Sequence, residues 1–208
     1  QKSSLPLSIT PLVLSQLKNS QRYWRTRKSN ESTDFSFTRF LVPNLMGYRG
    51  WAIFMDCDML CRGDIADLWS QRNENMSVMC VKHNHKPKEE RKFLGEIQSK
   101  YEKKNWSSLI MFNCKFCKKL TLEYVNSASG LELHQFKWLN DDNQIGSIQE
   151  RDWNYLVDVE SENSKLVKDG GPKLIHWTLG GPWFKDINFS DSYFAIEWFK
   201  SREDSRGL

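Results

Sequence analysis

Short apolar runs alternate with polar, charge-rich segments along the chain, and this pattern predicts alternating strands and helices. Such an order is typical of an α/β fold. We expect a mixed, mainly parallel central sheet flanked by helices, with a ligand crevice at the C-terminal ends of the strands. The pattern predicts strands over 7–14, 51–55, 76–81, 109–113, 153–157 and 173–177, and helices over 33–45, 64–69, 120–127 and 193–200.

The stretch Trp51–Leu60 carries the clearest chemical signal in this pattern. Its apolar run ends abruptly at Asp56 and Asp58, which are separated by one residue. Because side chains alternate along an extended strand, the two carboxylates would point the same way. They could then bind one hard divalent ion, Mg2+ or Mn2+, that also carries the phosphates of a substrate. Two solvated aspartates in a turn are the alternative, and so short a pattern leaves it open.

The composition is that of a globular chain, since 39% of its 208 residues are hydrophobic. This length suffices for one hydrophobic core, so we expect residues 1–208 to form a single domain. The net charge of +4 suits a small anionic ligand but is too weak to predict nucleic-acid binding. The nine tryptophans fit a sugar-binding pocket, although tryptophan in a core is the simpler explanation.

Five cysteines are present, an odd number that lacks the paired spacing of a zinc site. Reduced, mostly buried thiols are therefore expected, which favours a cytoplasmic location. No apolar run is long enough to cross a bilayer, and no cleavable signal stands at the amino end. The first residues, Gln1–Ser4, are typical of the end of a connection, so an anchor or signal upstream of residue 1 stays open.

Three segments in a fixed order resemble glycosyltransferase family 8. They are Ser32–Pro43, the Asp-x-Asp strand followed by Gly63–Trp69, and Pro172–Trp183. The resemblance implies the nucleotide-diphospho-sugar transferase (GT-A) fold, a UDP-sugar donor, Mn2+ or Mg2+ as cofactor, and transfer with retention of configuration. It also implies an acceptor, which is a carbohydrate, a lipid or a protein. Neither the acceptor nor the oligomeric state follows from the sequence.

The third segment supplies the second half of the implied metal site. His176 looks like the family's third metal ligand, beside Asp56 and Asp58. A lone histidine is more often an ordinary core or surface group. Here it precedes Gly180 and Gly181, whose lack of a side chain lets the backbone approach phosphates, and this favours a ligand site.

Four further positions complete the implied site. Arg39 is expected to bind the diphosphate or a sugar hydroxyl, a buried ion pair being the alternative. Ser107 and Ser108 are expected to line the donor-sugar pocket with their hydroxyls. Asp142 is a candidate for assisting the transferred sugar. For that stretch, helix capping by Asp141 or Asp142 is the alternative.

Two departures from the family pattern favour a rival interpretation, a non-catalytic binding or regulatory module. The family's first strand and helix are absent before Leu7, so we expect an N-terminally truncated domain. Gly181 stands where many members carry a lysine that binds the diphosphate, so Lys173 or Lys185 would have to compensate. A metal-dependent phosphohydrolase is a third alternative, but it would need additional ligands or a base.

Overall fold

A computed structural model describes residues 3–27, 33–83, 103–148, 152–157, 170–184 and 192–206. Within these ranges the strands are β1 Trp51–Met55, β2 Met59–Cys61, β3 Val78–Cys80, β4 Leu109–Asn113, β5 Ile145–Ser147, β6 Tyr155–Leu156 and β7 Leu174–His176. The α-helices are α1 Leu14–Asn19, α2 Val42–Leu45, α3 Ile65–Ser70, α4 Leu122–Ser127, α5 Gly130–His134 and α6 Tyr193–Arg206. Short 3-10 helices cover Thr38–Leu41, Trp106–Ser108, Cys114–Phe116 and Asp142–Gln144.

The larger sheet has the order β1-β4-β3-β5. Every residue of β4 is buried, because this central strand is covered on both faces, and its sequence is accordingly a continuous apolar run. β4 runs antiparallel to both β1 and β3, and β5 runs parallel to β3. Met55 pairs with Leu109, so the C-terminal end of β1 lies beside the start of β4.

The smaller sheet has the order β2-β7-β6 and begins just after the Asp-x-Asp segment. β2 pairs antiparallel with β7, with Met59 opposite His176, and β6 pairs parallel with β7. Because β1 belongs to one sheet and β2 to the other, residues 56–58 form the connection between the two sheets. This connection therefore passes close to the end of β7.

The mixed α/β class is confirmed, but parallel pairing is less frequent than we expected. Among the described strands, three pairs are antiparallel and two are parallel. A strand buried on both faces has the same apolar pattern in either direction, so the sequence could not reveal the antiparallel course of β4.

The predicted strand over 7–14 is wrong. These residues have no strand partner among the described residues, Ile9 is 83% exposed, and α1 begins at Leu14. The segment places most of its apolar side chains in solvent instead of on a sheet. The apolar residues are therefore not evidence of burial, since a strand needs a paired edge as well as a suitable pattern.

The helix predicted after residue 33 is shorter than expected. A 3-10 turn over Thr38–Leu41 leads directly into α2, which has Pro43 in its first turn. Phe40 and Leu41 are completely buried, as their spacing predicted. The predicted C-terminal helix is present, and it continues to Arg206. No helix in the described ranges has the length and apolar character needed to cross a membrane.

Candidate active site

The backbone fixes the Asp-x-Asp connection at both ends. The Asp56 amide donates to the carbonyl oxygen of Ser108 at 2.9 Å, which continues the β1–β4 pairing. The Trp177 amide donates to the carbonyl oxygen of Asp58 at 3.1 Å, which continues the β2–β7 pairing. The two sheets thereby hold the segment between the start of β4 and the end of β7.

This arrangement brings together the three side chains that the sequence predicted as metal ligands. One ligand atom from each of Asp56, Asp58 and His176 lies within 4.8 Å of the other two. His176 is only 3% exposed, and its Nε2 atom is 3.3 Å from Asp58 Oδ1. Carboxylate oxygens and an imidazole nitrogen at this spacing can surround one divalent ion.

One carboxylate oxygen of this cluster, Asp58 Oδ1, is buried and has no hydrogen-bond partner among the described residues. Its neighbour, His176 Nε2, is also an acceptor when the neutral ring carries its proton on Nδ1, the atom that lies 2.8 Å from Asn154 Oδ1. Two facing acceptors repel each other unless a proton or a cation lies between them. The donor set of this chain therefore fits a divalent ion.

Arg39 supplies a fixed positive charge next to these acids. Its Nη2 and Nη1 atoms bind the two oxygens of Asp56 at 2.7 and 3.1 Å, a bidentate pair. The same guanidinium donates to the carbonyl oxygens of Ser36 and Ser107 and stacks over the Phe54 ring. The buried ion pair considered as an alternative is thus present. Each Asp56 oxygen retains a second lone pair, so it can still bind a metal ion.

Burial determines the protonation behaviour of Asp56. Loss of solvent raises the pKa of this carboxyl above its ordinary value, the Arg39 charge opposes the rise, and the nearby Asp58 charge adds to it. A bound divalent ion would act in the same direction as Arg39, because positive charge favours the ionised carboxylate.

Ser107 and Ser108 directly precede β4, and their carbonyl oxygens accept hydrogen bonds from Arg39 and from the Asp56 amide. The Ser107 hydroxyl hydrogen-bonds His134 Nδ1 at 2.7 Å. The Ser108 hydroxyl donates to the Asn105 carbonyl oxygen at 2.6 Å. Both residues are at most 5% exposed. Because their hydroxyls already have protein partners, direct contact with a sugar remains a prediction.

Gly180 and Gly181 follow β7 by a few residues. Gly180 has φ of +119°, a conformation that residues with side chains rarely adopt. A Cβ at Gly181 would overlap the ring of Trp183. A side chain at position 181 would therefore have to displace the Trp183 ring. Phosphate binding by these glycines remains a prediction.

Asp142 is not part of this cluster. Its carboxylate pairs with Lys103 Nζ at 2.5 Å, and its side chain is 68% exposed. Both residues line a polar hollow of about 360 Å³. The residue precedes β5, and β5 runs in the same direction as β1, whereas Asp56 follows β1. The chain at Asp142 thus approaches the sheet from the opposite end, and its catalytic role remains a prediction.

Asp141 caps the 3-10 helix over Asp142–Gln144, because its Oδ1 accepts from the Asn143 amide at 2.8 Å. The capping alternative is therefore confirmed for Asp141. Of the two lysines considered as substitutes at the diphosphate, Lys173 binds Asp67 on α3 at 2.9 Å. Lys185 lies outside the described residues.

One residue of the site was missed as a functional candidate. Asn154 is completely buried, and its Oδ1 lies 2.8 Å from His176 Nδ1. In the sequence, Asn154 stands in the predicted strand Trp153–Val157, which resembles an Asn-bearing stretch of glycosyltransferase family 8, but that resemblance assigned it no role. Nothing there indicated that β6 would lie next to the histidine strand.

The sequence is similar to those of known proteins over most of its length. The family model "Glycosyl transferase family 8" matches residues 7–129. Protein CDI of Arabidopsis thaliana is 46% identical over 208 residues, an alignment that covers 98% of this chain and 78% of that protein.

Solved structures show more distant similarity. The glycosyltransferase GlyE of Streptococcus pneumoniae TIGR4 is 15% identical with a TM-score of 0.45, over 84% of this chain and 49% of that one. The galactosyltransferase LgtC, in complex with donor and acceptor sugar analogs, is 10% identical with a TM-score of 0.46, over 79% and 65%. This chain thus spans about half the length of GlyE.

Proposed function

The chain belongs to glycosyl transferase family 8, and on that premise we propose that it transfers a sugar from a nucleoside diphosphate donor to an acceptor. The proposed donor is a UDP-sugar, and the proposed cofactor is Mn2+ or Mg2+ held by Asp56, Asp58 and His176. Transfer with retention of configuration belongs to the same proposal, as does a single domain over residues 1–208.

The observation that carries this proposal is the buried pair of facing acceptors, Asp58 Oδ1 and His176 Nε2, with Asp56 beside them. Buried acceptors that face each other without a donor are costly, and folding alone gives no reason for Asp58 Oδ1 and the lone pair of His176 Nε2 to lie 3.3 Å apart. A divalent ion bound by these two atoms and by Asp56 would satisfy both. It would act as a Lewis acid that neutralises charge on the departing diphosphate.

The protein's own groups have separate tasks in this mechanism. Asp56, Asp58 and His176 would hold the ion, and the two sheets keep these three side chains in fixed positions. The Arg39 charge opposes the rise in the Asp56 pKa that burial causes, and the same guanidinium would lie next to the place where diphosphate charge develops, which favours the transition state. Asp142 is proposed to assist the transferred sugar, which requires the donor to extend from the acids towards Lys103.

A non-catalytic binding module is the second candidate, and one observation favours it. Gly181 stands at the expected position of the diphosphate lysine, and a side chain there would have to displace the ring of Trp183. Lys173 is already paired with Asp67. Diphosphate binding would then depend on the metal and Arg39. These two charges would be enough to bind a diphosphate, but they would support catalysis less well than a set that includes a lysine.

The test is a screen of UDP-sugars with Mn2+ in which release of UDP is measured with and without candidate acceptors. We expect release with at least one donor, and loss of it in Asp58→Asn, which keeps the shape of the side chain but removes its charge. Asp67→Asn, an equivalent change on the exposed face of α3, should retain activity. UDP binding that requires Mn2+, without turnover of any donor, would instead support the binding module.

The compartment and the acceptor belong to the same proposal. None of the five cysteines forms a disulfide, which supports a reducing, cytoplasmic location. The acceptor is a carbohydrate, a lipid or a protein. Acceptor-binding groups commonly lie in loops, so the screen should include all three classes.

A further inference from the structure

Asn154 lies between Ser108, which directly precedes β4, and His176 on β7. It directly precedes β6, whose Leu156 pairs with His176 on β7. Its backbone has φ of +66°, in the left-handed region that asparagine tolerates better than most residues. The side chain is completely buried, so each of its polar atoms needs a protein partner.

The partners of Asn154 determine which way its amide points. Nδ2 lies 3.3 Å from the carbonyl oxygen of Asn105 and 2.9 Å from Ser108 Oγ. A carbonyl oxygen can only accept, so the atom facing Asn105 must be the NH2 group. The Ser108 hydroxyl donates its own proton to the same carbonyl, which leaves its oxygen to accept from Asn154. The amide oxygen must therefore face His176.

This orientation in turn determines the tautomer of the histidine. Oδ1 of Asn154 is 2.8 Å from His176 Nδ1, and an amide oxygen can only accept, so Nδ1 must carry a proton. In the neutral ring the lone pair is then on Nε2, the atom that lies 3.3 Å from Asp58 Oδ1. A chain of hydrogen bonds from Asn105 to His176 thus presents this lone pair to the two acids.

We propose that Asn154 is a positioning residue that holds His176 in its Nδ1–H tautomer, so that Nε2 is available to a divalent ion. The inference rests on the proposed metal-dependent function and adds a residue to it. Groups that bind the far side of a ligating histidine fix the orientation of the ring and increase its basicity, and losing them typically weakens metal binding by about 10- to 100-fold.

The first measurement is the tautomer itself, by two-bond ¹H–¹⁵N correlation NMR of the metal-free protein labelled at its histidines. The chain has four histidines, so the His176 signals are assigned by their absence in His176→Gln. We expect a protonated Nδ1 and an unprotonated Nε2 above the range where histidines are charged. A signal pattern with the proton on Nε2 would overturn the inference, and no variant at position 154 is needed to see it.

The second measurement is Mn2+ affinity, followed by the EPR signal of free Mn2+. Asn154→Ala is expected to raise the dissociation constant by about 10- to 100-fold. Asn154→Asp keeps an oxygen acceptor facing Nδ1, tolerates the left-handed backbone, and places its second oxygen where the Ser108 hydroxyl can turn to donate to it, so it should stay within about threefold of the unmodified protein. Thermal unfolding without metal shows whether each variant is folded.

The control is Asn113→Ala at the far end of β4. Asn113 is also a buried asparagine whose amide donates to two backbone carbonyls, those of Glu74 and Met76. It should lose stability without losing Mn2+ affinity.

The outcomes separate the two claims. An unchanged affinity in folded Asn154→Ala overturns the positioning role alone. An unmodified protein that binds no Mn2+ overturns the proposed metal dependence together with it. If Asn154→Ala does not fold, the tautomer of the unmodified protein and the affinity of Asn154→Asp decide the matter.

Discussion

The pair between Arg39 and Asp56 is a bidentate ion pair with little solvent around it. The two side chains are 9% and 18% exposed, and two parallel hydrogen bonds join them. Removing one partner of such a pair leaves an uncompensated charge with little solvent around it, which is far more costly than losing a surface ion pair. The same arginine also organises the backbone at Ser36 and Ser107.

Arg39→Met should therefore reduce the free energy of unfolding by about 3–5 kcal/mol, measured by chemical denaturation. Arg39→Lys keeps the charge but loses the bidentate geometry, so its loss should be smaller. Lys115→Met provides the control, since its ion pair with Glu74 is at least half exposed and should contribute less than about 1 kcal/mol. Equal losses in Arg39→Met and Lys115→Met would show that the pair at Asp56 is not a buried interaction.

Cys57 reports on the charge of the two acids that flank it. Its thiol is exposed, yet its pKa is raised above the ordinary value, first by partial loss of solvent and then by the Asp58 and Asp56 charges. The thiolate is the reactive form, so alkylation should be slow near pH 8 and should become faster as the pH rises beyond the usual range for cysteine.

Asp58→Asn removes one of these charges and should lower the pKa of Cys57, which makes alkylation by iodoacetamide at pH 8 several-fold faster. Peptide mass spectrometry measures the rate in a Cys61→Ser background, and Asp67→Asn is the matched control. Cys80 and Cys114 are internal references: burial raises their pKa values to about 12 and about 11, so they should stay unlabelled while the protein is folded. A rate unchanged by Asp58→Asn would contradict the proximity of the charges.

At the scale of elements, the site depends on the close approach of β2 and β7. The amides of Arg62 and Gly63 both donate to the carbonyl oxygen of Lys173, at 2.8 and 2.9 Å. This contact directly precedes β7 and therefore sets the position of His176 relative to Asp58. Gly63 allows it, because a Cβ there would lie 2.7 Å from Lys173 Cβ.

Gly63→Ala should push the two strands apart, reduce the free energy of unfolding by about 1–3 kcal/mol and weaken Mn2+ binding. Denaturant unfolding and Mn2+ titration measure the two effects. In a Lys173→Gly background the three atoms nearest the new methyl group are absent, so the same substitution should cost less. If the cost is the same in both backgrounds, the close packing at this contact is not its cause.

The sequence predicted those strands in which a continuous apolar run ends at a metal-binding type of side chain. β1 with Asp56 and β7 with His176 are of this kind, and both are present. The direction of β4 could not be predicted, because a strand buried on both faces has no distinguishing periodicity. The failed strand over 7–14 shows the converse: apolar residues alone do not provide a sheet edge.

Asn154 and Asp142 show the same limit within the candidate site. The role of Asn154 depends on β6 pairing with β7, a contact between residues more than twenty positions apart that no local pattern contains. Asp142 lies in a stretch rich in acids and amides, but its ion pair with Lys103 depends on a turn almost forty residues earlier. The sequence indicated which residues have side chains suited to a site, whereas the contact partners of those side chains depended on the fold.

At the scale of the whole molecule, the site exists only in the folded chain. Its side chains come from residues 36–39, 56–58, 105–108, 154 and 176, which two sheets bring together. A ligand that binds such a site stabilises the native state, since the unfolded chain cannot assemble the same ligands. Metal binding and folding should therefore be linked in this protein.

The most direct test of the account is an anomalous difference map at the manganese edge, from crystals grown with Mn2+ and UDP. We expect one strong peak about 2.0–2.3 Å from His176 Nε2 and from carboxylate oxygens of Asp56 and Asp58, with the UDP phosphates on its open side. A peak bound elsewhere, or ordered UDP at these acids without any metal, would contradict the claim that the three side chains form one metal centre.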